Sequence, residues 1–406
     1  MPQIKPFNAW RYSHANLTDL ICPPYDIISQ EEKKKLQKRS TYNIVNIELS
    51  DPTETANKYR NAAAIFKTWQ KEEILVCDEN PAFYLYEQIF EYKGIKMTRR
   101  GFFCALKLDD PHSQKGSVKP HEKTLAKPKA DRLSLLRATR ANVSPIFGLF
   151  DDDKKFIEKL CAKISQKRAP NATAFEKQGV VHKIWAVSDE HILKDIEKFL
   201  ANKKMIIADG HHRYETAWNY SQERKEKDAN FSADKDYNFV LAFLCPIEDP
   251  GILILPTHRL IDEPADMENN IAKFFDVWQE KDLPKLLKKD VQPLIIFKNN
   301  KKRVLTIKNE TLLKKAMPKK CKAYRNLAVS ILHYILMPKI DPSDFVYVHD
   351  DKEAIIRAKK ENKIAIIVPA TPAKALKAIS LNNEMMPQKS TYFYPKLASG
   401  LVIRGV

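Results

Sequence analysis

Two periodicities alternate along the chain. Ser29 stands where a helix N-cap belongs, with Glu31 and Glu32 in the turn that follows. Residues 53–72 place apolar side chains at helical spacing, closing at Trp69. Residues 43–49 alternate, which predicts a strand between those two helices. The apolar runs 82–90 and 98–108 flank Tyr92-Lys93-Gly94 and read as an antiparallel hairpin. Strand patterns then recur at 146–150 and 182–187, with helical ones at 154–167 and 190–200. A short apolar run, 205–208, leads into Asp209-Gly210 and then into a helix over 214–224. Near-continuous apolar strands follow at 239–244 and 252–255, helices at 267–275 and 283–289, and a hairpin over 294–308. Helices at 327–337 and 372–381 flank a strand at 364–368. Thr371 is the expected N-cap of the second, with Pro372 at its first position.

The pattern predicts an α+β protein without internal repeats. Its 406 residues exceed one ordinary domain, and the charged stretch 223–236 is the best linker. The division expected is therefore residues 1–235 and residues 236–406. Residues 109–130 stand apart: they carry no apolar periodicity but many reactive side chains, which in a compact domain marks a functional loop.

Composition narrows the chemistry. There are only 9 glycines and no G-x-G arrangement, so the dinucleotide fingerprint and the Walker A loop are both excluded. A phosphate site must then use a helix N-terminus and side chains. The net charge of +18 permits polyanionic partners, but the cations are spread through mixed-sign helices, so nucleic acid is not indicated. The 6 cysteines form no C-x-x-C pair and give neither a zinc ribbon nor a disulfide scaffold. With no signal peptide and no apolar run of membrane-spanning length, a cytoplasmic protein without membrane association is expected.

Two constellations carry the candidate chemistry. In Asp209-Gly210-His211-His212-Arg213 a strand ends in a tight turn that opens a helix, aiming backbone N–H groups at an anion. Arg213 can grip phosphate oxygens with a planar fork, and Asp209 can hold Mg²⁺ or orient a histidine. Adjacent helical histidines do not share a face, which argues against zinc. The second constellation is Lys119-Pro120-His121-Glu122-Lys123-Thr124-Leu125-Ala126-Lys127, followed by Asp131-Arg132. Glu122, beside His121, suits a general base toward a hydroxyl. Lys119, Thr124, Lys127 and Arg132 are the groups available to bind or neutralise transferring phosphate. Tyr25-Asp26 after two prolines, His182 with Trp185, and Lys389-Ser390 near Lys396 are candidate pocket walls or further donors.

These motifs carry a resemblance. Phe7-x-Ala9-Trp10-Arg11, Pro23-Pro24-Tyr25-Asp26, Lys119-Pro120-His121-Glu122, Asp131-Arg132, His182-x-x-Trp185 and Ala208-Asp209-Gly210-His211-His212-Arg213-Tyr214 follow the pattern of the domain of unknown function 1015 family. So do Leu255-Pro256-Thr257-His258-Arg259 and the stretch from Met386 to Lys396. More distantly, Pro120-His121-Glu122 and Asp209-Gly210-His211-His212-Arg213 are similar to the two motifs of the archaeal ADP-dependent free serine kinase, grouped with sulfiredoxin and the ParB-type CTPases. That likeness implies a ParB/sulfiredoxin-like core with insertions plus a C-terminal α+β domain. It implies Glu122 as base, and His211, His212 and Arg213 as phosphate ligands. The motifs here lie about 85 residues apart, farther than in the kinase.

The resulting expectation is a nucleotide-dependent phosphotransferase acting on the hydroxyl of a small metabolite, using ATP or ADP with Mg²⁺, held by Asp209, bridging the phosphates. The alternatives are a regulatory module switched by CTP or ATP, and a phosphohydrolase in which water replaces the acceptor. Acceptor, base and oligomeric state are left open by the sequence.

Overall fold

The computed structural model describes residues 3–124, 126–287 and 292–406. The chain forms two compact units. The first contains residues up to Pro120, Thr124–Ile252 and Pro395–Val406; the second contains His121–Lys123 and Leu253–Tyr394.

A mixed nine-stranded sheet organises the first unit. Its strands are β1 (Ile4–Lys5), β2 (Phe83–Tyr92), β3 (Ile95–Lys107), β4 (Val118–Lys119), β5 (Ile146–Phe150), β6 (Ala172–Phe175), β7 (Val181–Val187), β8 (Met205–Asp209) and β9 (Phe239–Pro246). The order is β4-β8-β5-β9-β3-β2-β7-β6, with β1 added to β3. The β2–β3 hairpin turns at Lys93 and Gly94, both at positive φ (51° and 79°), as a two-residue type I′ turn requires. All eight residues of β9 are buried, which explains their near-continuous apolar sequence. Gly101 of β3 is needed there, because a Cβ would stand 2.2 Å from the Leu244 carbonyl oxygen. Cys104 and Cys245 are buried free thiols in this sheet.

Helices cover the sheet. Ile157, Cys161 and Ile164 of one, Ile196 and Leu200 of another, and Tyr214 and Ala217 of a third join Phe83, Phe102, Ile146, Trp185 and Ile207 in one core. Helix α1 (Ala126–Thr139) meets α2 (His211–Lys227) where Leu136 packs with Tyr220 and Tyr237.

The second unit is built on a six-stranded sheet. Its strands are β10 (His258–Ile261), β11 (Phe275–Trp278), β12 (Leu294–Lys298), β13 (Lys301–Ile307), β14 (Val346–Val348) and β15 (Ile364–Ile367). They run in the order β11-β13-β12-β15-β10-β14, so the hairpin at 294–308 is present.

Three expectations are corrected. The boundary at 235 fails because β9 sits between β5 and β3 in the middle of the first sheet and cannot leave it. The last twelve or so residues also return to that unit, where Ile403 and Arg404 pair with Trp10 and Ala9. Residues 43–49 hold a helical turn, Val45–Glu48, in place of a strand. Asn43 explains it: its side chain accepts from the Val45 N–H at 3.0 Å and donates to the carbonyls of Asp19 and Ile21. Thr371 does not cap the helix Ala373–Leu381, because its hydroxyl donates to the Ser390 carbonyl instead.

Candidate functional site

The turn between β8 and α2 is shaped by two backbone irregularities. Ile207 pairs with Gly148 while Asp209 pairs with Phe147, so Ala208 is an extra, unpaired residue, a bulge just before Asp209. Gly210 follows at φ 90°, a conformation open to glycine. A Cβ there would also stand 3.1 Å from the Arg213 Nε and 3.2 Å from its Cζ. The absent side chain is what lets the Arg213 guanidinium fold back over the turn.

That fold-back closes an ion cluster. Asp209 Oδ2 accepts from Arg213 at 2.8 Å, and Oδ1 accepts from Lys396 Nζ at 2.6 Å. Arg213 also donates to the Pro145 carbonyl. Burial alone would raise the Asp209 carboxyl, but Lys396, Arg213 and His211 outweigh it and hold the group well below the usual carboxylate range. Asp209 therefore does not cap α2, whose N-cap, Gly210, offers no side chain. Lys396, expected in the second domain, belongs to the first unit and completes this cluster.

Mg²⁺ at Asp209 does not fit this arrangement. Both carboxylate oxygens already serve two cations, and no group of three His, Cys, Asp or Glu suited to a metal occurs among the described residues.

A second cluster of the first unit is centred on Arg132. Its guanidinium bonds Asp131 at 2.9 Å and the Glu48 carboxylate and carbonyl at 3.2 and 3.1 Å, and lies 4.1 Å from the Tyr25 ring centre. Burial pushes the Tyr25 phenol up to about 12, against the opposing pull of Arg213 and Arg132, so both arginines act on one ring. Asp131 takes further bonds from Lys58 at 2.6 Å and the Tyr59 hydroxyl at 3.0 Å. Burial would raise Asp131, but these partners bring it down to about 2. Asp26, next to Tyr25, faces solvent.

The other candidates separate. Lys119 is buried in β4 and donates to the Gln114 carbonyl at 2.6 Å. Burial, then the nearby Lys204, lowers its ammonium from the ordinary lysine value. Thr124 donates to Glu215, which also receives Lys129. The side chain of Lys127 lies outside the described residues. His211 is buried at the start of α2, beside the half-buried His212. His182 and Trp185 are core residues, contrary to a pocket role. His182 sits between Tyr86 at 2.6 Å and Glu176 at 2.8 Å, and the Trp185 indole donates to the Arg168 carbonyl.

Four candidates belong to the second unit. The buried His121 ring bonds the Thr391 hydroxyl at 3.0 Å. Glu122 accepts from the Lys389 N–H at 3.5 Å. Ser390 is buried, donating to the Pro387 carbonyl, and the Lys389 side chain is exposed.

Sequence reasoning missed Glu48. It is buried, it holds Arg132 and the Ser144 hydroxyl, and its Oε2 takes no hydrogen bond among the described residues. The local signal was hidden because residues 43–49 alternate like a strand.

The family described as Protein of unknown function (DUF1015) matches residues 4–330. The chain belongs to that family. No curated protein matches the sequence. Among solved structures, a conserved hypothetical protein from Pyrococcus furiosus shares 13% identity, with 69% of this chain and 89% of that chain covered at a TM-score of 0.34. A free serine kinase in complex with AMP shares 10%, covering 68% and 83% at 0.34. A C-terminally truncated SbnI from Staphylococcus aureus shares 8%, covering 73% and 85% at 0.38. TM-scores this low decide neither fold nor activity. Among the described residues no helix is long and apolar enough to cross a membrane.

Proposed function

We propose that this DUF1015 protein is a nucleotide-dependent phosphotransferase acting on the hydroxyl of a small metabolite. The carrying observation is the bulge–Gly210–α2 turn, which pairs a helix N-terminus with two cations, Lys396 and Arg213, gathered on Asp209. A helix's first N–H groups have no partner within the helix and attract phosphate oxygens. His211, His212 and Arg213 occupy that first turn, where they would meet the phosphates of ATP or ADP.

In the proposed step the acceptor oxygen forms a bond to the terminal phosphorus while the bridging P–O bond breaks, its electron pair leaving with the nucleotide. The hydroxyl proton needs a base, a role that the motif likeness gives to Glu122. Lys119 and Arg132 lie in the same unit as the turn, but Arg132 is already paired with Asp131 and Glu48. A regulatory reading is favoured by one observation: the Arg213 fork is committed to Asp209 and the Pro145 carbonyl, so a bound nucleotide would have to reorient it.

Calorimetry with AMP, ADP and ATP tests the turn. Arg213→Lys should weaken nucleotide binding by about 1–3 kcal/mol, the range for a lost charged hydrogen bond. Unchanged affinity with the fold intact removes the turn from the site. With an acceptor in hand, Glu122→Gln should lower turnover by about 10²–10⁴-fold and leave nucleotide affinity within a few-fold. Nucleotide loss without an acceptor would mark a hydrolase, and tight binding without turnover a switch.

A further inference from the structure

The motif Phe7-x-Ala9-Trp10-Arg11 has no part in the function proposed above. It runs into one strand of a four-stranded sheet, ordered Leu75–Cys77, Ala9–Tyr12, Ile403–Gly405, Ala141–Asn142. Beside this sheet the first unit contains a cavity of about 930 Å³, a volume in the range of small-molecule sites. Its walls come from the helix Lys58–Lys71, the C-terminal end of α1 and the strands that carry Trp10 and Gly405. No residue of the turn at 209–213 lines it.

The lining is unbalanced in charge. Lys5, Lys67, Arg137, Arg140 and Arg404 face one acidic side chain, Asp236. Arg137 is paired with Glu223, which does not line the cavity, at 2.9 Å. Asp236 is shared, its carboxylate bonded by Lys5 at 2.9 Å and by Arg404 at 3.0 Å. Lys67 and Arg140, both exposed, form no ion pair among the described residues. Three positive charges therefore remain around the cavity, one left over at Asp236 and one each on Lys67 and Arg140. A cleft lined by one sign of charge concentrates the field and draws counter-ions.

Two further features point to a ligand. Arg140 follows α1 directly at φ 50°, the left-handed position after a helix where glycine or asparagine is usual. An arginine there is strained, and strained residues cluster at ligand sites. Trp10 is half-buried, and its indole N–H meets no acceptor among the described residues. Gly405 has no side chain to cover that N–H; a Cβ there would stand 3.7 Å from the Trp10 Nε1.

We infer that this cavity binds a small organic polyanion of about three negative charges, such as two phosphate groups or three carboxylates supply. Arg140 offers its planar fork to one oxyanion group and Lys67 a point charge to another, while the Trp10 indole donates to a further oxygen. The carbon frame meets the apolar part of the lining, Pro6, Ala63 and Phe66.

The test titrates the full chain with fructose 1,6-bisphosphate and, separately, with citrate, by calorimetry. At least one should bind, and the tighter of the two names the oxyanion chemistry. Arg140→Gly should weaken that binding about tenfold, the loss of one charged contact. Its urea midpoint should stay at or above that of wild type, because glycine takes a φ of 50° freely. Lys67→Ala, at an exposed helical position where alanine favours the helix, should weaken binding likewise without loss of stability. Arg213→Lys should leave the affinity for both probes unchanged, which separates this cavity from the phosphate turn. The bound polyanion should also change the tryptophan fluorescence, and Trp10→Phe should remove that change. The proposal is overturned if neither probe binds at millimolar concentration, if Arg140→Gly and Lys67→Ala both bind as wild type does, or if Arg213→Lys abolishes the binding.

Discussion

Asp209→Asn should make the protein less stable and better at binding phosphate, two effects of opposite sign from one substitution. In the wild type one carboxylate balances two cations, leaving a local charge of about +1 from Lys396 and Arg213. Asparagine keeps the size and one acceptor oxygen but removes the charge, so the balance rises to about +2. Lys396 and Arg213 keep only 12% and 11% of their side chains exposed, so water cannot replace the lost partner fully. Removing one partner of a buried pair costs about 3–5 kcal/mol; with 23% of Asp209 exposed, the lower end, about 3 kcal/mol, is expected. The pH dependence is fixed by the depressed carboxyl. Its contribution is fully present above the unfolded value, near 3.9, and is lost only as pH falls through the lower folded value. The stability gap between wild type and variant should therefore stay constant from about pH 5 to 8.

An added anion should narrow that gap. A ligand at about 100 times its dissociation constant contributes about 2.7 kcal/mol to the folded state, and the gap narrows by the amount that the variant's gain exceeds the wild type's. Urea unfolding of both proteins, with and without inorganic phosphate, measures both quantities on one set of samples. If phosphate stabilises wild type and variant equally, Lys396 and Arg213 are not part of an anion site. If Asp209→Asn is as stable as wild type, the ion cluster does not hold the turn.

Gly210→Ala should cost about 1–2 kcal/mol from its φ of 90° and should also displace the Arg213 guanidinium, weakening nucleotide binding along with stability; unfolding and calorimetry on the same variant check both. Asp249 behaves oppositely to Asp209. Burial raises its carboxyl to about 6 despite N–H bonds from Gly251 and Arg100, so the stability it supports is present at low pH and is lost as pH rises from about 4 through 6. Asp249→Asn should thus raise stability above pH 7, by up to about 3 kcal/mol, and flatten that pH slope; an unchanged slope would refute the assignment.

What the sequence made legible follows from the range of each interaction. The β2–β3 hairpin, the β8 strand and the helix after Gly210 are local patterns, and each formed close to where its periodicity placed it. The motif at 209–213 was legible for the same reason: its glycine, aspartate and arginine interact within five residues. Lys396 reaches Asp209 across 187 positions and Glu48 reaches Arg132 across 84, and no local pattern encodes either contact. The same limit explains the misplaced boundary. A charged stretch at 223–236 has the composition of a linker, yet β9 beyond it is the strand that joins β5 to β3.

The long-range contacts also change what the motif means. Read locally, Arg213 offers a free planar fork to phosphate. In the folded chain its two terminal nitrogens already hold the Asp209 carboxylate and the Pro145 carbonyl. A nucleotide therefore does not meet an open grip; it must exchange a phosphate oxygen for one of those acceptors. The exchange favours the phosphate only if Asp209 keeps a partner when Arg213 leaves, and Lys396, at 2.6 Å, is that partner. Lys396→Ala should then weaken nucleotide binding even if the nucleotide never touches Lys396, because Arg213 would remain pinned to the carboxylate. Combining Lys396→Ala with Asp209→Asn removes the pin, and affinity should recover toward that of Asp209→Asn alone. A double variant that binds no better than Lys396→Ala would mean that Lys396 contacts the phosphate itself, and that releasing Arg213 is not what limits binding.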